Sequence, residues 1–208
     1  MSRDARETRR RLIEAADALF YSEGVHGVGV DRIAERARVT KRTLYYHFES
    51  KDELIAAYLA ARDGPQLERF QGWFRSSRGT VGARFTAVFK RLAEAARDPR
   101  WRGCAFARAA AELAGLPGHP ARAVASDHKH TLEAWLARLL AAERIDDAPA
   151  LARQLMIIVD GAVTQILVHR DPQYAEAAGR AATALIDAAI AVRDRRGASS
   201  AGLSRRRA

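Results

Sequence analysis

The 208-residue chain has one cysteine, two methionines and six prolines, and no run in which β-branched residues alternate with polar ones. A lone cysteine excludes an internal disulfide, and with it the small scaffolds that depend on cross-links. Without alternation there is nothing to pattern a sheet, so the fold is expected to be all-α. Long apolar runs are missing too: the most apolar stretch, 155–168, is interrupted by Asp160 and Gln165 and is too short to span a bilayer. The opening MSRDARETRR lacks the apolar centre of a secretory signal. A cytoplasmic protein that makes no membrane contact is therefore expected. HExxH, CxxC and glycine-rich phosphate loops are absent, and His128 and His130, two positions apart, cannot share a helical face. No metal, cofactor or catalytic group is expected, which leaves an all-helical enzyme with little support.

What the chain has is apolar content, at 48% enough for a sizeable core in one or two domains, and a net charge of +10. The charge is uneven: residues 1–62 balance to +2, 63–192 to +3, and the last sixteen, RDRRGASSAGLSRRRA, to +5. Half of the excess thus sits in a segment with almost nothing to bury, expected to be a disordered Arg-rich tail over 197–208. Its role is open between a solubilising end and non-specific attraction to phosphates.

Helical spacing recurs throughout and predicts about nine helices. The first covers about 6–23, with Leu12, Ile13, Ala16, Leu19 and Phe20 on one face and Gly24 at its end. The second covers 30–37 after Gly29, and the third starts after Thr40 with Leu44 and Phe48 on its buried side. Ser50 and Glu53 form a capping box that opens the fourth, which Asp63-Gly64-Pro65 is expected to break or kink. Further helices are expected over 80–97, 101–116, 120–142, 148–169 and 172–196. Asp147 and Asp171, each followed within two residues by proline, mark the last two starts.

The second and third helices are three residues apart, joined by Arg38-Val39-Thr40, which is the spacing of a helix-turn-helix. In that motif the second helix enters the major groove while the first braces it. The exposed positions of the third helix would be Lys41, Arg42, Thr43, Tyr45, Tyr46 and His47. Arg and Lys donate to guanine edges, Thr offers a methyl and a hydroxyl, and Tyr and His hold phosphates at the groove edge. The run Arg3, Arg6, Arg9, Arg10, Arg11 is open between reaching a neighbouring minor groove and being a charged helix start.

The pattern Ile33-Ala34, Ala37, Val39-Thr40, Thr43-Leu44-Tyr45, His47-Phe48, Lys51 and Leu54 resembles the TetR/AcrR family of one-component regulators over roughly residues 8–58. By position, the resemblance implies phosphate contacts from Thr40, Tyr45, His47 and Lys51. It implies groove contacts from Lys41, Arg42, Thr43 and Tyr46. Two positions depart from the family's habit: Arg38 stands where glycine is usual in a left-handed turn, and Gly29 where Ser or Thr caps the helix. A left-handed Arg38 carries roughly 1 kcal/mol of strain, which a phosphate contact by the same side chain would offset.

The resemblance further implies a helical ligand-binding and dimerisation domain over 51–196, following a three-helix DNA-binding domain over 1–50. The expected function is a repressor released from a palindromic double-stranded operator by a small, hydrophobic inducer. Phe70, Trp73, Phe74, Phe85, Phe89, Trp101, Phe106 and Trp135 gather in the middle helices, as pocket lining or as core. The polar residues among them are Arg108, Glu112, His128, Asp160 and Gln165. The ligand-binding set singled out is Phe85, Phe89, Cys104, Phe106, Arg108, His128, Trp135 and Asp160. Asp160 on an apolar face either pairs internally or meets the ligand, and Cys104 near Arg100, Arg102 and Arg108 is either a thiolate sensor or a small core residue. The last two helices, rich in small and branched residues, are the expected homodimer seam.

Overall fold

The computed structural model describes the backbone of residues 3–205 and the side chains of residues 3–196. The described residues form nine helices and no strand: α1 (Arg3–Glu23), α2 (Val30–Arg36), α3 (Lys41–His47), α4 (Lys51–Ser76), α5 (Val81–Ala96), α6 (Ala105–Glu112), α7 (Pro120–Ala142), α8 (Ala148–His169) and α9 (Gln173–Arg205).

Four of the starts are set by local side-chain hydrogen bonds. Thr40 accepts from the Thr43 amide at 3.1 Å, Thr80 from Ala83 at 3.2 Å and Asp147 from Ala150 at 3.3 Å. Ser50 accepts from the Glu53 amide at 3.1 Å, while the Glu53 carboxylate reaches back to the Glu49 amide at 2.7 Å, one residue beyond the usual capping-box partner.

Four expectations change. The helix expected over 101–116 is only the eight-residue α6. Gly103 takes a left-handed φ of 73° and the Arg102 amide donates to the Tyr21 hydroxyl at 2.9 Å, so the backbone there is committed elsewhere before a helix can start. The fourth helix is not broken at 63–65: α4 is helical throughout, with Pro65 inside it. The first helix starts three residues before the expected Arg6. At the other end, the α9 backbone is helical to Arg205, past the expected end at Arg196. The expected disordered tail over 197–208 falls on residues whose side chains, and from 206 whose backbone as well, lie outside the described residues.

The chain packs as two compact units that interleave in sequence. The first, the head, takes the described residues up to Glu68 together with Arg102–Lys129; the second, the body, takes Arg69–Trp101 together with the described residues from His130 on. The head core is Leu12, Leu19, Phe20, Ile33, Leu44, Phe48, Leu54, Tyr58, Leu59 and Phe106. In the body, α5 and α8 both pack on α9. Close approach of α5 to α9 needs glycine: a Cβ on Gly179 would lie 2.9 Å from the Phe89 Cβ, and one on Gly82 would lie 2.7 Å from the Asp187 carboxylate. Thr183 donates to the Gly82 carbonyl at 3.0 Å and pairs with the Thr86 hydroxyl at 2.7 Å. By length and composition α8 is apolar enough to cross a membrane, yet Leu151, Ala152, Leu155, Met156, Val159, Ala162 and Ile166 are buried within the body.

Candidate nucleic-acid interface

Ile33, Ala34 and Ala37 face inward from α2, and Leu44 and Phe48 from α3, which fixes the other side of α3 toward solvent. Lys41, Arg42, Tyr45 and Tyr46 are exposed, with Tyr46 at 80%, a degree of exposure no core aromatic has. Thr43 and His47 are half-buried. The His47 ring meets the Tyr46 ring edge-on with centroids 5.2 Å apart, and the Thr43 hydroxyl pairs with that of Thr40 at 2.8 Å. Lys51 opens α4, half-buried. The Lys41 ammonium lies 3.0 Å from the Asp31 carboxylate in the first turn of α2, whose hydrogen bond raises the lysine pKa.

The turn between α2 and α3 is left-handed at Arg38, with φ 54°. Arg11 of α1 stabilises it by donating to the carbonyls of Ala37 and Arg38, the latter at 3.1 Å, so those oxygens are satisfied although no glycine is present. Arg38 itself is exposed beside an open crevice of about 340 Å³ lined by Arg11, Glu14, Arg36 and Arg38. In the arginine run, Arg9 lies over the Phe48 ring at 4.8 Å and Arg10 pairs with Glu7 and Glu14. Arg9, Arg10 and Arg11 are thus engaged within the head, as a charged helix start would have them.

The connector between α1 and α2 is held from α6. The Glu112 carboxylate accepts from the Val25 amide at 2.7 Å and the His26 amide at 3.1 Å, and the His26 ring bonds the Glu112 carbonyl at 2.8 Å. A Cβ at Gly24, whose φ is 89°, would come within 2.9 Å of that carboxylate. Arg108 donates to the Tyr21 carbonyl at 2.7 Å, and the Tyr21 hydroxyl donates to the Gly103 carbonyl at 3.2 Å. Arg62 of α4 pairs with Asp17 and lies over the Tyr21 ring at 4.0 Å. Beside it Tyr58 is buried, and burial pushes its phenol well above the ordinary range. The tie from Glu112 was not legible in the sequence: a carboxylate in an apolar region signals a partner, but not one 86 residues away.

Four of the ligand candidates belong to the head. The buried His128 ring stacks on Phe106, with centroids 3.7 Å apart and planes 4° from parallel, and its Nδ1 donates to the Asp63 carboxylate at 2.6 Å. Cys104 is buried at the start of α6, its sulfur 3.8 Å from the Gln66 amide nitrogen, and Arg108 is tied to Tyr21. Phe106 is fully buried core. The other four belong to the body. Phe85 and Phe89 are fully buried, Phe85 meeting Phe74 at 5.4 Å. Trp135 is half-buried and meets Phe70 and Phe74 edge-on, and Asp160 is half-buried on α8. The described residues contain no group of three metal-ligating side chains.

Residues 12–58 match the family model for bacterial regulatory proteins of the tetR family. The HTH-type regulators TtgW and SrpR of Pseudomonas putida are each 44% identical over 62 residues, 30% of this chain. That match spans only 46% and 29% of their respective lengths. A TetR transcriptional regulator from Streptomyces avermitilis is 34% identical over 88% of this chain and 97% of its own, with a TM-score of 0.76. One from Streptomyces coelicolor is 34% identical over 88% of this chain and 94% of its own, with a TM-score of 0.71. With this near full-length likeness and the family model over its first helices, the chain belongs to the TetR family of DNA-binding transcriptional regulators.

Proposed function

We propose that this chain is a cytoplasmic, dimeric repressor that leaves a palindromic operator when a small, hydrophobic ligand binds. The observation that carries the reading is the outer face of α3, where donors and aromatics stand exposed above a fully buried Leu44 and Phe48. Lys41, Arg42, Thr43 and Tyr46 read the major groove, while Arg38, Thr40, Tyr45, His47 and Lys51 hold phosphates. The linear division at residue 50 is one of roles: the first three helices, with Lys51 at the start of α4, meet DNA, and the remainder to 196 responds.

Dimerisation is supported by apolar side chains left exposed on the last two helices. Ile157 and Val168 on α8 are 68% and 67% exposed, and Leu185 and Val192 on α9 are exposed as well. Together with Gly161, Ala181 and Ala188 they make an apolar face that a second copy would cover. Ligand response is supported by α6, whose Phe106 and Arg108 are ligand candidates and whose end ties down the α1–α2 connector. A ligand that displaces His128 from Phe106 moves α6, and it disfavours the DNA-binding arrangement only if it prefers the displaced one. Phe85, Phe89, Trp135 and Asp160 are proposed to meet ligand within the body, which requires the packed Phe85 and Phe89 to open.

The test is binding of purified protein to the DNA upstream of its own gene. Saturable binding that weakens with salt is expected; its absence refutes the regulator reading. Lys41→Ala, Arg42→Ala and Tyr46→Ala are expected to change sequence preference. Tyr45→Phe and Lys51→Ala should weaken binding to matched and mismatched sites alike.

A further inference from the structure

We propose that Asp31 is a specificity-determining residue of the head, acting by holding the Lys41 ammonium in place so that it reads a base instead of a phosphate. The inference rests on α3 being the reading helix. Asp31 lies in the first turn of α2 and Lys41 is the first residue of α3, so the pair joins the starts of the two helices. Both carboxylate oxygens lie near the ammonium, at 3.0 and 3.1 Å. Arg42, the next residue, has no carboxylate partner among the described residues, and Arg32 is turned to Glu23, at 2.7 Å. Asp31 and Lys41 are therefore the ion pair at the edge of the reading face.

A carboxylate there opposes the attraction that draws a protein to DNA, because it faces the same phosphates. With side chains 53% and 73% exposed, the pair adds little to folding, so stability does not account for it. Its effect is on what lysine does at the groove. A lysine is a point charge on a flexible four-carbon stem, and left alone beside a polyanion it settles on the nearest phosphate. Phosphate contacts carry no sequence information. Held by Asp31, the ammonium keeps a fixed place with donors left to face O6 and N7 of a guanine. The carboxylate thus gives up non-specific affinity in exchange for discrimination at one position of each half-site.

The experiment is selection from a randomised double-stranded DNA pool by the full chain and by Asp31→Asn, Lys41→Ala and the double variant, with sequencing of the bound fraction. Anisotropy titrations on one fixed, unselected duplex run beside it. Asp31 is exposed in the first turn and asparagine retains its size, so all four proteins are expected to unfold at the same temperature. Wild type is expected to enrich a guanine at one position per half-site, and Asp31→Asn to lower that preference at least about fivefold. On the unselected duplex Asp31→Asn binds more tightly, with a salt slope steeper by about 0.9 for each new phosphate contact. In the Lys41→Ala background, Asp31→Asn changes nothing further at that position. An enriched sequence identical in wild type and Asp31→Asn overturns the inference and leaves the regulator reading standing. A change at that position that persists without Lys41 also overturns it. Failure of wild type to enrich any sequence overturns both.

Discussion

In the head, side chains reach across to backbone atoms: Arg11 to the α2–α3 turn, Glu112 to the connector amides, Arg108 to Tyr21. In the body, α5 and α9 meet through Gly82, Gly179 and the Thr86–Thr183 pair, and most of the remaining contact is aliphatic or aromatic. The two arrangements answer differently to displacement. Apolar contact falls off gently and without direction, whereas a carboxylate capping two amides is satisfied in one arrangement only. A shift of an ångström in α6 would release Glu112 from the connector while leaving the apolar core largely in contact. Directional ties thus hold the turn before α3 and the connector before α2 in one arrangement.

The contrast can be broken most severely in the head core. Phe20→Ala, removing a ring packed against Tyr58 at 5.5 Å, is expected to cost about 3–5 kcal/mol in chemical denaturation. In the body, Gly179→Ala drives a methyl into Phe89 and is expected to cost about 1–3 kcal/mol. Breaking the tie itself is gentler: Glu112→Ala leaves two amides without acceptors, about 1–2 kcal/mol. Glu112→Gln, which keeps an acceptor, should recover part of that, and hydrogen exchange at Val25 and His26 reports the loss directly.

Alkaline pH sharpens the comparison further, because Tyr58 of the head holds its proton more tightly folded than unfolded. Its contribution is complete below the unfolded value near 10 and is lost as pH rises above it. Denaturation midpoints should therefore fall above about pH 10, and less steeply in Tyr58→Phe. The smallest effect expected is a gain: Arg170→Gly relieves a φ of 54° at the end of α8 and should stabilise the body by up to about 1 kcal/mol.

What could be read from the sequence was whatever is decided within a few residues. Thr40, Ser50 and Asp147 each cap the helix they precede, and the spacing of Leu44 and Phe48 among exposed neighbours turned α3 the right way. Arg38 was also legible as a left-handed residue, because the resemblance placed a glycine there. The distant partners of the turn and the connector lay out of reach. Arg11 is 27 residues from Arg38 and Glu112 is 87 from Val25, and no local pattern encodes such a meeting. Asp31 was passed over because ten residues separate it from Lys41, and only the angle between α2 and α3 brings them together. The overlong expectation for α6 failed for the same reason, since the Tyr21 hydroxyl that claims the Arg102 amide is 81 residues away.

The central claim is that α3 of each of two copies reads a major groove. Hydroxyl-radical footprinting of the full chain on its selected duplex tests it most directly. Two protected half-sites on one face of the DNA, centred about one helical turn or roughly 34–36 Å apart, are predicted. Protection spread evenly along the duplex, independent of its sequence, would contradict the account.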